Sequence, residues 1–482
     1  MPRVLLLLPT ATYRAADFVA AAARLGVEVV VGSEHRQALS RSMSDRAVVV
    51  PLDRPGAAVE AIAALHRRAP LDAVVAVDDQ GVLVAASAGE LVGFPHNPPD
   101  SVSATRDKAK MRRRLAAASV SQPRFVAVAV SRAPGSTGEQ AGAQTSAQVV
   151  AAARAVGYPC VVKPVDRAAS QGVIRADDDA GAAQAARRIL AILGGEAGEL
   201  LVEEYVAGPE VALEGLLRAG RLHTLAIFDK PDPMDGPFFE ETIYVTPSAE
   251  PGRVLRQVEA CVASATTALG LVEGPVHAEV RLAARHYPVV IEPVVIEPVV
   301  IEPVVIEPVV IEPVVIEVAA RSIGGLCGRA LRFSNGRGEP ASLEEIILGH
   351  ALGLDLVPRP GTRRALATVA RTAVDRTAGG DGAGASGVMM LPIRAGGVLE
   401  GVSGVEEARE VVGITGVEIS VAAGRPVVPL PEGGRYLGFL FARGPDPASV
   451  VAALRQAEGC LHVNLRPGGE PPARAGAGTL RS

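Results

Sequence analysis

The first hundred residues alternate continuous apolar runs with stretches of helical length, and this pattern limits the fold more than any other feature. The runs are "RVLLLLP", "VEVVVGSE", "AVVVPLD" and "LDAVVAVDD", interrupted by "RAADFVAAAARLG" and "AVEAIAALHRRA". Strands that are apolar along their whole length are typical of a parallel sheet covered on both faces. We therefore predict a Rossmann-like α/β domain over residues 1–104. The first strand-to-helix turn, "LPTATYRAADF", lacks GxGxxG, which argues against a dinucleotide site.

The rest of the chain reads as at least two further domains, because 482 residues are too many for one hydrophobic core. We predict a central domain over residues 105–350 with a subdomain at about 125–205. A small α+β domain over residues 351–465 and a disordered tail over residues 466–482 follow. Within the subdomain, a Gly/Ser/Gln-rich linker is expected from Ala133 to Gln148, before a helix in "AQVVAAARAVG". The fold class is therefore α/β and α+β, multidomain.

Charge and cysteine content exclude several functions. The net charge of −5 gives no field that would attract nucleic acid or an anionic membrane. The basic run "KAKMRRR" is interpreted as a solvated helical face. No two of the four cysteines form a CxxC pair, which fits reduced thiols rather than a zinc site or a disulfide framework. Without a signal peptide or an apolar stretch of about 20 residues, a soluble cytoplasmic protein is expected.

Two polar groups follow apolar strands in the central domain. Lys163 ends "PCVVKPV", and residues 170–172 follow in a glycine-containing loop. A lysine ammonium and backbone N–H groups both suit a phosphate. The stretch "LLVEEYVAGPEVALEG" predicts strand, turn and strand, in which residues 203–206 suit an adenine edge and Glu210 suits ribose hydroxyls. Taken alone, each group also fits an ordinary surface turn or hairpin.

Three polar side chains share one face of a later strand. His277, Glu279 and Arg281 alternate with apolar residues in "GPVHAEVRL". Their burial is costly unless they are paired or bound to an ion, and a purely structural network is the alternative. The next strand, "PVVIE", also ends in a carboxylate. Two carboxylates on adjacent strands, completed by phosphate oxygens, are ligands that Mg²⁺ prefers.

The PVVIE unit occurs six times without interruption over residues 288–317. Proline at every fifth position is incompatible with a central strand, so we predict that the insertion leaves the sheet as a loop. Glu292 lies 13 residues after Glu279, whereas Glu317 lies four residues before Arg321. One rigid segment can hold Glu317 and Arg321 together, so Glu317 is the favoured metal ligand and Glu292 is the alternative.

The order of these motifs resembles the ATP-grasp superfamily and, within it, the carboxylate–amine ligases that include the L-amino acid ligases. The similar features are Asp107-Lys108 before a helix, Lys163 with its glycine loop, Glu-Glu-Tyr-Val, the paired carboxylates and E-x-x-x-R. The resemblance covers about residues 1–465. It implies an ATP-grasp domain between an N-terminal pre-ATP-grasp domain and a C-terminal ligase-type domain. It also suggests a homodimer, since relatives are often dimers.

The resemblance further implies roles for individual residues. Phosphates would be contacted by lysines beneath a lid loop, adenine would lie against the Glu-Glu-Tyr-Val segment, and two glutamates would bind Mg²⁺, with Mn²⁺ as an alternative. The implied site residues are Lys108, Lys163, Ser170, Gln171, Gly172, Glu203, Glu204, Tyr205, Val206, Glu210, Glu279, Glu317 and Arg321, with Lys230 and His277 on the substrate side. Lys163 and Arg321 would be catalytic. Ala319 departs from the pattern, because many relatives have Asn there and its amide oxygen is lost.

The implied reaction joins a small-molecule carboxylate to an amine. ATP would convert the acid to an acyl phosphate, the amine would displace the phosphate, and ADP and phosphate would be released. Amino acids are the expected substrates, and a dipeptide is one form of product. Two alternatives stay open: a biotin-carboxylase-like or purine-pathway enzyme of the same fold, and a non-catalytic ATP-binding relative.

Overall fold

The computed structural model of the protein describes most of the chain outside the repeat and one long connection. The described residues are 1–10, 12–35, 46–130, 138–194, 198–286, 289–291, 295–296, 299–300, 304–306, 309–334, 339–354, 356 and 384–467. Most of the predicted tail, residues 468–482, lies outside them. Within the described ranges, no helix combines the length and the apolar character needed to cross a membrane.

The N-terminal domain is a four-stranded parallel sheet with helices on both faces, in the order β3-β2-β1-β4. Alternate residues of the first strand enter different cores: Leu6 packs in the same core as Phe18, and Leu5 in the same core as Ile62. This arrangement confirms the predicted α/β class. The elements are β1 (Arg3–Leu7), α1 (Ala15–Arg24), β2 (Glu28–Ser33), β3 (Ala47–Val49), α2 (Pro55–Arg68), β4 (Ala73–Ala76) and α3 (Asp79–Val92).

A lid subdomain follows two connecting helices. Its antiparallel sheet has the strand order β5-β8-β6-β7, and α6 and α7 pack on that sheet. The elements are α4 (Pro99–Thr105), α5 (Lys108–Ala117), β5 (Phe125–Val130), α6 (Gly138–Val156), β6 (Cys160–Pro164), β7 (Ile174–Ala176), α7 (Asp179–Leu193) and β8 (Gly198–Glu204).

The predicted linker at 133–148 is wrong over most of its length, because α6 already begins at Gly138. Thr145 and Ser146 do not interrupt the helix. Their hydroxyls donate to the carbonyls of Ala141 and Gly142, four residues earlier in each case. Such bonds let polar side chains remain inside a helix, which the composition of the segment does not reveal.

One large sheet carries the remaining strands that matter for the site. It has eight antiparallel strands in the order β17-β12-β9-β10-β11-β20-β24-β22, so it runs from the predicted central domain into the C-terminal one. The elements of the central part are β9 (Glu210–Arg218), β10 (Arg221–Lys230), β11 (Ile243–Thr246), α8 (Gly252–Leu269), β12 (Gly274–His286), β13 (Val289–Ile291), β14 (Val295–Ile296), β15 (Val299–Val300), β16 (Val304–Ile306), β17 (Val309–Ala319), β18 (Phe333–Ser334), β19 (Pro340–Ala341) and α9 (Leu343–Ala351).

The C-terminal part adds strands to this sheet and packs helices against them. Its core includes Met389, Leu440 and Leu454. A second, three-stranded sheet has the order β23-β21-β25. The elements are β20 (Ala385–Leu391), β21 (Gly397–Ser403), α10 (Val405–Glu410), β22 (Ile414–Ile419), β23 (Pro426–Val427), β24 (Gly438–Gly444), α11 (Pro447–Cys460) and β25 (His462–Arg466).

The repeat leaves the large sheet only in part. Its last unit and most of the preceding one lie in β17, which pairs with β12 from His277↔Ala319 to His286↔Val309. The prediction of a loop is therefore wrong for these residues. β17 stands at the end of the strand order, and an edge strand accepts Pro313 because one side of it needs no ladder donor. The short strands β13 to β16 pair among themselves, outside the large sheet.

Candidate active site

Lys163 and Glu203 form a buried ion pair on the lid sheet, and both line the same cavity. β6 and β8 are antiparallel neighbours, which brings Lys163 Nζ within 2.6 Å of Glu203 Oε2. Both side chains are almost fully buried. Burial opposes ionisation of Glu203, but the charges of Arg112 and Lys163 outweigh it and lower the pKa of Glu203 to about 2. For Lys163, burial dominates and lowers its pKa.

The side chain of Lys108 connects α5, the helix that precedes the lid sheet, with the last unit of the repeat. Its Nζ lies 3.2 Å from Glu317 Oε2 and donates to the carbonyl of Arg167 at 2.7 Å. Asp107 caps this helix by accepting from the N–H of Lys110, which fixes where α5 begins. The ammonium of Lys108 therefore faces both the loop after β6 and the last glutamate of the repeat.

Glu279 and Glu317 lie opposite each other on β12 and β17. A β-bulge follows directly: Val280 pairs with Val315, so Ile316 is the extra residue on β17. Burial raises the pKa of Glu279, but Lys230 and His277 outweigh it and hold that pKa well below its usual range. The favoured carboxylate of the repeat thus faces Glu279, whereas Glu292 lies outside the described residues.

Lys230 is the centre of a second charged group behind Glu279. Its Nζ lies 2.5 Å from Glu210 Oε1 and 3.2 Å from Glu279 Oε1. Arg281 approaches the other oxygen of Glu210 at 2.7 Å. Two buried cations therefore already hold the carboxylate of Glu210, the residue that the resemblance assigns to the ribose. Burial disfavours a charged lysine, but the surrounding carboxylates raise the pKa of Lys230 well above its usual value.

The segment assigned to adenine comprises the last two residues of β8 and the two that follow, and all four line the cavity. Glu204 pairs with Arg124 at 2.9 Å, and the hydroxyl of Tyr205 donates to Asp235 at 2.8 Å. The guanidinium of Arg175 lies 4.5 Å from the centre of the Tyr205 ring. Val206 is buried. These contacts fix the side chains of the segment at the wall of the cleft.

The glycine-containing loop after β6 is attached to the C-terminal part of the chain. The amide of Gln171 donates to the carbonyl of Glu432 at 2.7 Å, and the N–H of Gly172 donates to the carbonyl of Pro431 at 2.9 Å. Ser170 has a φ of 55° and Gly172 a φ of 74°. A β-carbon on Gly172 would also lie 3.0 Å from the Pro164 ring, so glycine suits this position on two grounds.

Arg321 faces the N-terminal domain. Its Nε donates to Asp79 Oδ2 at 2.7 Å, and Asp79 is the first residue of α3. Burial favours a neutral side chain, but the charge of Asp79 outweighs it and raises the pKa of Arg321. Asp79 follows β4, at the carboxyl end of a parallel strand where ligand sites form in open α/β sheets. Asp79 was not predicted as a site residue, although its position directly after the apolar run in "AVVAVDDQ" indicates the carboxyl end of a strand.

A cavity of about 610 Å³ brings most of these groups together. Of the thirteen implied site residues, Gln171 and Gly172 do not line the cavity, and the other eleven do. Lys230 is also not among the lining residues, although His277 is. Several lining residues from other parts of the chain were not predicted from the sequence, namely Tyr13, Asp78, Asp79, Glu241, Tyr244 and Tyr436.

The prediction that the basic residues of α5 form a solvated face is also wrong in part. Arg112 is fully buried, whereas Arg113 is half exposed. The Nε of Arg112 donates to Glu203 Oε1 at 2.6 Å, and its two terminal nitrogens donate to backbone carbonyls of β17. The burial follows from which face of the helix packs on β8 and β17, which a run of three arginines does not disclose.

The residues present fit a nucleotide with its metal ion. In the described part of the chain, no group of three or more His, Cys, Asp or Glu side chains is arranged to hold a metal by itself. Mg²⁺ needs less from the protein, because one or two carboxylates suffice when phosphate oxygens and water complete the shell. Glu279 and Glu317, facing each other beside Lys108, match that requirement.

Three domain families match the chain in order. The ATP-grasp N-terminal domain matches residues 19–96, the ATP-grasp domain matches residues 156–299, and the L-amino acid ligase C-terminal domain 2 matches residues 389–466. A search of curated protein sequences found no match.

Several solved structures are similar to almost the whole chain. An L-amino acid ligase from Bacillus licheniformis has a TM-score of 0.69 at 22% identity, covering 97% of this chain and 99% of that one. N5-carboxyaminoimidazole ribonucleotide synthetase from Thermotoga maritima has a TM-score of 0.61 at 14% identity, covering 97% of this chain and 100% of that one. Biotin carboxylase from Campylobacter jejuni has a TM-score of 0.57 at 13% identity, covering 96% of this chain and 92% of that one. The chain therefore carries an ATP-grasp N-terminal domain, an ATP-grasp domain and an L-amino acid ligase C-terminal domain 2, and it shares its fold with these solved structures.

Proposed function

We propose that the protein is an ATP-dependent carboxylate–amine ligase. ATP phosphorylates the carboxylate of one substrate, and the amine of a second displaces phosphate from the acyl phosphate, leaving an amide, ADP and phosphate. One observation carries the proposal: Lys108, Lys163 and Arg321 line the same cavity as the facing carboxylates Glu279 and Glu317. Cations and a divalent-metal site in one cleft suit phosphoryl transfer, in which the protein mainly positions groups and offsets charge.

Each charged group has a role that follows from its place. Lys163 and Lys108 contact nucleotide phosphates from β6 and α5. Glu279 and Glu317 would hold Mg²⁺, or Mn²⁺ in its place, and the bound ion would supply positive charge that neutralises the phosphates. Arg321 faces the reacting carboxylate from the side of the N-terminal domain. A carboxylate aligned with the terminal phosphoryl group needs no nucleophilic side chain of the protein.

The lid excludes water from the cavity. The contacts of Gln171 and Gly172 with residues 431 and 432 hold the loop after β6 across to the C-terminal part. A closed loop keeps water away from an acyl phosphate, which water would otherwise hydrolyse. The lining of the cavity also contains Glu241, Tyr244 and Tyr436, where Glu241 accepts from both tyrosine hydroxyls. This polar wall suits the two small substrates, for which we propose amino acids, with a dipeptide as product.

The proposed setting is the cytoplasm. All four cysteines lie in described regions and are free thiols, as expected in a reducing compartment. The predicted homodimer stays a prediction. A second candidate reaction keeps the fold and uses bicarbonate or a purine precursor, and it is favoured by the similarity to biotin carboxylase and to the synthetase from Thermotoga maritima.

Phosphate release from ATP over a grid of amino acid pairs, with product masses, tests the proposal. Turnover that needs both an acid and an amine, and a product with the mass of their amide, is the expected result. A Lys163→Ala variant should lose activity by about 100-fold or more, because a buried cation facing the phosphates is removed. ATP consumption that depends on bicarbonate would favour the second candidate. ATP binding without ADP release in any mixture would indicate a non-catalytic relative.

A further inference from the structure

Arg112 is a buried cation that touches three parts of the chain at once. It lies on α5, one turn after Lys108, and its side chain is fully buried. A buried guanidinium is costly unless its donors are satisfied. Here its Nε donates to Glu203 at 2.6 Å, and its terminal nitrogens donate to the carbonyls of Val315 at 3.1 Å and Ile316 at 2.6 Å.

These contacts connect the two sheets that form the cleft. Glu203 belongs to β8 of the lid sheet, and its other carboxylate oxygen holds Lys163. Val315 and Ile316 belong to β17 of the large sheet, and Ile316 is the extra residue of the bulge. Bulges redirect the side chains beside them, and the residue after this one is Glu317. A single guanidinium therefore fixes the backbone before one carboxylate and the partner of one lysine.

We propose that Arg112 is a positioning residue that holds Glu317 on the large sheet and Lys163 on the lid sheet in one fixed geometry for a metal–nucleotide complex. The proposal rests on the nucleotide and metal site of the proposed function, and adds a residue that touches neither ligand. Its consequence is specific. Loss of Arg112 should weaken binding of ATP more in the presence of Mg²⁺ than in its absence, because Mg²⁺–ATP depends on both Glu317 and Lys163, whereas free ATP depends on Lys163 alone.

Calorimetric titration of the full-length protein with ATP, with and without Mg²⁺, tests this role without requiring turnover. Arg112→Met removes the donors at similar volume, and Arg112→Lys keeps the charge but cannot span a carboxylate and two carbonyls. Arg113→Met is the matched control, because Arg113 is the next residue on the same helix and pairs at the surface with Glu199. Circular dichroism and thermal melting establish that each variant is folded.

The expected result is a loss of Mg²⁺–ATP affinity of at least tenfold in Arg112→Met and about threefold in Arg112→Lys. The Mg²⁺ concentration for half-maximal binding should rise at least threefold in Arg112→Met, and Arg113→Met should stay within twofold of wild type. A folded Arg112→Met protein with the wild-type Mg²⁺ requirement would overturn the proposal, as would a loss of affinity that is equal with and without Mg²⁺. If Arg112→Met does not fold, wild-type binding by Arg112→Lys overturns it instead.

The outcome is separable from the proposed reaction. A wild-type protein that binds Mg²⁺–ATP but joins no acid to an amine would contradict the ligase activity and leave the Arg112 measurements interpretable. A wild-type protein without affinity for ATP would overturn both proposals.

Discussion

Removal of five of the six PVVIE units should leave the fold and the site intact. Deletion of residues 288–312 joins Tyr287 directly to Pro313. The pairs of β12 with β17 from His277↔Ala319 to Leu282↔Pro313 are unchanged, so Glu279 still faces Glu317. Because the units are identical, deletion of any five gives the same chain.

The size of the effect on stability follows from the ladder. Four outer pairs are lost, from Ala283↔Glu312 to His286↔Val309, together with the hydrogen bond from Ser121 to Glu312. Four antiparallel pairs carry about four backbone hydrogen bonds, so about five bonds are lost in all, each contributing about 1 kcal/mol. In return, the connection shortens from residues 287–308 to the five residues 283–287, which lowers the entropic cost of closure by about 1.3 kcal/mol. A five-residue connection is an ordinary length for a hairpin.

The lost hydrogen bonds outweigh the lower cost of closure by about 4 kcal/mol, which should lower the melting temperature of a chain of this length by about 4 °C. We expect kcat/KM for phosphate release to remain within threefold of the full chain. The control combines the deletion with Glu317→Gln, which removes the last carboxylate of the repeat and should abolish activity. If the shortened chain melts more than 10 °C lower, or loses more than tenfold in kcat/KM while folded, the outer units contribute to the site and the reasoning fails.

Two further predictions concern single residues. Glu317→Gln should lower kcat/KM by about 100-fold or more and Glu292→Gln by less than threefold, measured as phosphate release at saturating Mg²⁺; the reverse order would assign the metal to Glu292. Burial disfavours the charged form of His277, but Glu214 and Glu279 outweigh it and raise its pKa to about 9 from 6.5. Its stabilising contribution should therefore be complete below pH 6.5 and be lost as the pH rises to 9. Melting curves should show a steeper decline over that range in wild type than in His277→Gln, and parallel curves would contradict the assignment.

Local patterns in the sequence were enough to predict the fold class and to identify residues that line the cavity. Lys163 and Glu279 each lie on a strand recognisable from its own apolar run, so their approximate places follow without knowledge of the whole fold. The partners of Glu210 could not be predicted in the same way. Lys230 and Arg281 reach it from β10 and β12, and only the antiparallel registers on both sides of β9 bring them there. The burial of Arg112 depends likewise on how separate sheets meet.

The large sheet has a consequence for how the molecule unfolds. Backbone hydrogen bonds between β11 and β20 join the strands that bear the proposed nucleotide site to those of the C-terminal part. A cut between them would leave β11 with an unpaired edge, and unpaired edges favour aggregation. We therefore expect the two regions to unfold as one cooperative unit. A substitution that destabilises the C-terminal strands should also destabilise the strands that line the cavity. Fragments divided at the sequence-predicted boundary near residue 351 are consequently unsuitable for isolating either activity or stability.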